Sequence, residues 1–129
     1  YKRQVAYHTA IEMRLAHGQW GSTPVGFWAR PRVPLIAGRS TLPIERVVII
    51  ADAQSGMGVP LPPSRYTFIN PDMTLYLERE PAGEWLGFDI RSTANRHGSG
   101  LAQSAIRDDA GLIGRSAQSL VVTPRAPHV

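Results

Sequence analysis

Asp52 closes the apolar run Val47-Val48-Ile49-Ile50-Ala51, and an acid in such company needs a reason. Near a helix C-terminus it is opposed both by desolvation and by the negative end of the helix dipole. General base catalysis would supply that reason: a carboxylate with a raised pKa accepts a hydrogen bond from water and takes its proton. The plainer reading is an aspartate that caps the loop around Gly56. Gln118, set among Ala117, Leu120 and Val121, carries an amide that can donate to a water and accept from it, and a partly exposed strand glutamine would look the same. Ser55-Gly56-Met57-Gly58 could bring backbone amides close to an oxyanion or a phosphate, although a helix end and turn uses the same residues.

Other chemistries are excluded by composition. The chain has no cysteine, so thiolate nucleophiles, disulfides and zinc-thiolate sites are absent together, and catalysis must use oxygen or nitrogen groups. His8, His17, His97 and His128 lack metal-ligand spacing, so neither a metal nor any other cofactor is expected. The net charge of +4 comes from basic residues scattered singly, which argues against a nucleic-acid partner. Thirteen of the 14 basic residues are arginine, a bias that composition explains as readily as any need for phosphate contacts. No run approaches the roughly 20 apolar residues that span a bilayer, and no signal pattern opens the chain, so a soluble cytoplasmic protein without a membrane partner is expected.

These residues must be positioned by one core, since 129 residues with 43% hydrophobic content suit a single domain, 1–129. Alternation from Val5 to Ala16 predicts a long strand, and Val25 to Arg30 a short one that ends at Pro31 and Pro34. Thr41 to Ser55 is ambiguous on propensity alone. Thr41 as cap, Pro43 in the first turn, Glu45 at the positive end and Gly56 at the other favour a helix. Ile44, Val47, Val48 and Ala51 then share one face, and Ile49 and Ile50 make the other side apolar too, which predicts a helix buried nearly all round. Thr67 to Glu78, Glu84 to Ala94, Gly100 to Arg107 and Leu112 to Thr123 read as four strands of a meander, separated by turn-forming segments. Two strands, a buried helix and four more strands make an α+β layout.

Phe68-Ile69-Asn70-Pro71-Asp72-Met73-Thr74-Leu75-Tyr76-Leu77-Glu78-Arg79, followed by Gly83-Glu84-Trp85-Leu86, resembles the C-terminal hotdog of type II, TesB-like acyl-CoA thioesterases. Pro43 to Asp52 resembles that family's central helix, and Gly114-Arg115-Ser116-Ala117-Gln118 its last strand. The resemblance covers nearly the whole chain in the correct order. It implies a hotdog fold, a long curled antiparallel sheet wrapped around one central helix, which also accounts for a helix apolar on both faces.

The resemblance further implies a site. In the family an aspartate on the helix, a threonine at the start of the following strand and a glutamine on the last strand orient the hydrolytic water, and Asp52, Asn70 and Gln118 stand at these places. Asn70 departs from the family's threonine, replacing a hydroxyl by a larger amide that can still donate to water or to a developing oxyanion. The implied activity is hydrolysis of a fatty acyl-CoA, with acyl-CoA as substrate and a second hotdog as partner, supplied by another copy, a separate chain or an upstream domain. Trp20, Trp28, Trp85 and Tyr76 would line an acyl tunnel or simply fill core and interface. Arg30, Arg32, Arg79, Arg115 and Arg125 would contact coenzyme A phosphates or simply meet solvent. The alternative is a non-catalytic hotdog that completes a paired assembly or binds acyl chains. A related hydratase would carry a histidine about five residues after the aspartate, where this chain reads Ala53-Gln54-Ser55-Gly56-Met57.

Overall fold

The computed structural model describes residues 6–126. Its elements are α1 (Tyr7–Ala10), β1 (Ile11–His17), β2 (Val25–Pro31), α2 (Pro43–Asp52), α3 (Gln54–Met57), β3 (Tyr66–Ile69), β4 (Thr74–Leu77), β5 (Leu86–Ala94), β6 (Ser99–Asp108) and β7 (Gly111–Pro124). The seven strands form one antiparallel sheet in the order β1-β2-β5-β6-β7-β3, with β4 also pairing to β7. This is the α+β plan expected, a curled sheet around a central helix.

Strand alternation decides what faces that helix. Val25, Phe27 and Ala29 of β2, Leu86, Phe88 and Ile90 of β5, and Ile106 and Ile113 of the β6–β7 hairpin are buried in one cluster with Val47, Ile50 and Ala51 of α2. Phe27 and Phe88 are cross-strand partners and stack with ring centroids 5.6 Å apart. On α2 the buried residues fall at i, i+3 and i+4, one stripe of a helix against one face of a sheet. Ile44, in the first turn, and Val48, at the margin of that stripe, remain 37% and 40% exposed, so α2 is not buried all round as its composition predicted.

The helix begins as expected at Pro43, but its entry is held differently. Glu45 accepts a hydrogen bond from the Leu42 N–H at 2.8 Å, while Thr41 Oγ1 accepts from the Leu35 N–H at 2.9 Å and caps nothing. The helix ends at Asp52, short of Gly56. After Ala53 the chain turns into α3, which closes at Gly58. There a Cβ would lie 2.6 Å from Ile90 Cγ2, so only glycine lets this turn press on β5.

Two strand expectations are corrected. Val5 lies outside the described residues, and residues 7–10 form α1 rather than strand, because the Thr9 hydroxyl accepts from the Ala6 N–H at 3.0 Å and donates to the Ala6 carbonyl at 2.7 Å, closing a turn. The strand expected from Thr67 to Glu78 is broken into β3 and β4, and it lies at the far edge beyond β7 instead of beside β5, so only β5-β6-β7 is a meander. Ile69 pairs with Val121 and Thr74 with Ala117, so four residues, 70–73, span three residues of β7, 118–120. Pro71 has no N–H for a ladder bond there. Asp72 takes over the pairing: its carboxylate accepts from the Ser119 N–H at 3.1 Å and from Ser119 Oγ at 2.6 Å. These bonds hold the Asp72 carboxyl below its ordinary range.

Candidate active site

The break between β3 and β4 positions the site. Asn70 escapes the ladder and faces the end of α2, where its Nδ2 donates to Asp52 Oδ1 at 3.1 Å. Asp52 is the last residue of α2, and its side chain is exposed, so the desolvation expected from its apolar neighbours does not act on it. Opposition from the helix dipole remains, and the Asn70 amide offsets it. Asp52 Oδ2 has no protein hydrogen-bond partner among the described residues, and Asp52 does not cap the Gly56 loop.

Gln118 is fully buried, not a half-exposed strand residue. Its Nε2 donates to the carbonyls of Ala51 and Asp52 at 3.3 and 3.2 Å. The last carbonyls of a helix have no partner within it, so a strand side chain completes the end of α2 and fixes the backbone of Asp52. Two carbonyl neighbours require the NH2 side of the amide to face them. Gln118 Oε1 is therefore turned away, buried and without a partner. The structure thus joins Asn70 to the Asp52 side chain and Gln118 to the Asp52 main chain.

Two residues near this point escaped the sequence reading. Gln54 is fully buried, with Nε2 donating to the Ala102 carbonyl at 3.3 Å and Oε1 accepting from Ser116 Oγ at 2.6 Å, and Ser116 in turn meets Ser104 Oγ at 2.6 Å. It stands at i+7 from Val47, i+4 from Ile50 and i+3 from Ala51. The spacing that marks the buried stripe therefore also marked this glutamine. Tyr7, read as part of a strand, reaches α2 from α1 and donates its hydroxyl to the Ile49 carbonyl at 3.1 Å. Tyr7 as a whole is 39% exposed, but its hydroxyl lies against the helix. Burial pushes the phenol up to about 12, with the Asp52 charge adding to the effect, so it stays a neutral donor.

The candidate tunnel and phosphate residues are mostly engaged elsewhere. Trp20 packs on Phe27 with centroids 5.5 Å apart, Trp28 covers Gly87, and Trp85 lies under the guanidiniums of Arg14 and Arg30 at 4.3 and 4.8 Å. Arg30 is paired with Glu12 and Glu84, Arg79 with Asp108, and Arg125 donates to the Pro63 carbonyl at 2.8 Å. Arg115 keeps no carboxylate partner among the described residues, and His128 lies outside them. Among the described residues no cluster of three or more metal-ligating side chains occurs, and no helix is long and apolar enough to cross a membrane.

A family model described as acyl-CoA thioesterase C-terminal domain matches residues 2–122. No curated protein matches the chain in sequence. Among solved structures, an acyl-CoA thioesterase II, TesB2, of Mycobacterium marinum is 17% identical with a TM-score of 0.67, over 95% of this chain and 53% of that one. The TesB protein of Mycobacterium avium subspecies paratuberculosis is 19% identical with a TM-score of 0.63, over 92% of this chain and 49% of that one. A thioesterase of Haemophilus influenzae is 14% identical with a TM-score of 0.61, over 94% of this chain and 85% of that one. At these identities the likeness is one of fold, and the fold is the hotdog of thioesterases. The chain spans about half the length of the two mycobacterial structures.

Proposed function

We propose, because the chain belongs to the family of acyl-CoA thioesterase C-terminal domains, that it hydrolyses a fatty acyl-CoA to the free acid and coenzyme A. The observation that carries this reading is the meeting of Asn70 with the Asp52 carboxylate at the end of α2, whose last carbonyls Gln118 holds in place. A water that donates a hydrogen to Asp52 Oδ2 keeps a lone pair free to attack a thioester carbonyl, with Gln118 holding the Asp52 backbone from which that carboxylate projects. Asp52 takes the proton as the carbon–oxygen bond forms. The tetrahedral intermediate then expels the coenzyme A thiolate as the carbon–sulfur bond breaks, and the proton on Asp52 is returned to that sulfur. Asn70 Nδ2, held in place by its bond to Asp52, has a second hydrogen to offer the developing oxyanion. None of these steps requires a metal or a covalent enzyme intermediate.

The site belongs to a pair. The β3–β4 edge beside Asn70 has no partner strand among the described residues, and a second hotdog on that edge would wall the cleft and cover the exposed Asp52. The non-catalytic alternative has its own support. Gln118 already serves as a helix cap, and Asn70 already donates to Asp52, which is also what a purely structural clasp would do.

The test is thioester hydrolysis over a panel of acyl-CoAs, with the chain and any co-purifying hotdog, for wild type and Asp52→Asn. The wild type turns over, and the variant loses about 10²–10⁴-fold in kcat with its fold and acyl-CoA binding intact. Equal turnover in both overturns the role of Asp52, and inactivity of the wild type in every paired form establishes the non-catalytic reading.

A further inference from the structure

The sheet's other face, turned away from α2, carries a groove of about 490 Å³. Strand register explains it. One cross-strand row runs His17, Gly26, Asp89, Ala105, Arg115, Tyr76 through β1, β2, β5, β6, β7 and β4, and the next row includes Arg91, Gln103 and Ala117. Alternation directs all of these side chains to the side opposite the buried Phe88, Ile106 and Gln118. Ala105 and Ala117 have small side chains, so the floor along β6 and β7 is low, while the His17 imidazole lies over Gly26. His17, Arg91, Arg107, Arg115 and Tyr76 stand around it as a rim.

Charge in this groove is unbalanced. Asp89 is its one carboxylate, and it is already shared, accepting from Arg107 Nε at 2.9 Å and meeting His17 Nε2 at 2.7 Å. Arg91 and Arg115 have no carboxylate partner among the described residues. They rise from β5 and β7, with the neutral Gln103 on the strand between them, and both line the groove. Two unpaired guanidiniums over a concave floor suit an anion of about two charges, and guanidinium geometry favours phosphate oxygens. At the β4 end the Tyr76 ring, cross-strand from Arg115, is 68% exposed and offers an aromatic face. The volume falls in the range of small-ligand sites.

We propose that this groove binds a nucleoside diphosphate, its phosphates between Arg91 and Arg115 and its base on Tyr76. The site is separated from Asp52 by the thickness of the sheet and does not depend on the hydrolytic reading. The same chemistry is carried by a free nucleotide and by the nucleotide end of coenzyme A.

Calorimetric titration of the 129-residue chain with ADP tests it, with adenosine and pyrophosphate as partial ligands. ADP is expected to bind saturably with Kd below about 1 mM at low salt and more weakly as salt rises. Arg91→Gln with Arg115→Gln lowers that affinity about tenfold or more. Tyr76→Ala costs ADP about fivefold and leaves pyrophosphate unchanged, because only ADP carries a base to stack. These side chains are exposed, so melting temperatures stay at the wild-type value and separate lost binding from lost fold. Asp52→Asn leaves ADP binding intact, so this site and the hydrolytic one fail independently. Competition by coenzyme A identifies its nucleotide end as a source, and absence of competition identifies a free nucleotide. No saturable ADP binding, or equal affinity in the double arginine variant, overturns the proposal.

Discussion

At the scale of single residues, Gln118 is where structure and chemistry compete. Its amide nitrogen closes the end of α2 through two carbonyls while its oxygen stays buried and unpaired, so one side chain serves stability and, in the proposed reaction, the placement of Asp52. Gln118→Ala leaves both carbonyls unpaired in a buried place and opens a small cavity, at a cost of about 2–3 kcal/mol. Turnover is expected to fall as well, by less than in Asp52→Asn, when both are measured below their melting temperatures. A lowered melting temperature with unchanged turnover would reduce Gln118 to a cap. Asn70→Thr restores the family's hydroxyl at a shorter reach, so it should give an active enzyme with altered rate or acyl preference. An inert threonine variant beside an active parent would show that this position does not correspond to the family's threonine. The place of Asp52 at the end of an apolar helix was legible, but not its exposure, because sequence neighbours along a helix face different directions. The roles proposed for Asn70 and Gln118 rest on family likeness, since an amide on a strand looks alike whether it binds water, a backbone or nothing. Gln54 was legible by helical spacing and was missed.

At the scale of elements, α2 was readable because its signals are local: Pro43 in the first turn, Glu45 bonded back to Leu42, and an i, i+3, i+4 stripe. The place of β3 and β4 was not, because it depends on β7, some 50 residues away, and because the alternation of Phe68 to Leu77 runs on through Pro71, whose missing N–H was the one local warning. The connection after β4 is fixed by another non-local device. Asp108, at the end of β6, has no exposed side-chain surface; it receives both Nη groups of Arg79 at 2.6 and 2.7 Å and the N–H groups of Ala82 and Ala110 at 2.9 Å. The Arg79 guanidinium beside it holds its carboxyl far below the ordinary 3.8, against the opposing effect of burial. A depressed carboxylate contributes stability that is complete above the unfolded value and lost as pH falls from there toward the folded one. The melting temperature should therefore decline below about pH 4, the ordinary carboxylate range. Asp108→Asn should lower it at neutral pH by roughly 5–10 °C and flatten the acid decline. An acid slope as steep in the variant as in the wild type would assign acid sensitivity to the exposed pairs instead, such as Arg39 with Glu45.

At the scale of the whole molecule, the sheet has two ends of different character. The β1 end is dressed with charge, Glu12 bonded to both Arg14 and Arg30, which discourages a further strand. The β3–β4 end is a short, interrupted edge with Ile69 61% exposed, and it lies beside Asn70. An edge that exposes Ile69 next to the proposed site is where a second hotdog is expected to dock. Light scattering at micromolar concentration is expected to give a dimer or larger assembly. Ile69→Lys places a charge on that edge and should shift the chain to monomer while its melting curve remains cooperative. If the cleft is walled by the partner, the same variant loses thioesterase turnover, and activity returns as protein concentration is raised toward reassociation. A wild-type monomer with full turnover would sink both the pairing and the shared site. A dimer that survives Ile69→Lys would leave the pairing but move it to another surface, with the exposed Ile44 and Val48 of α2 the next to test by the same substitution.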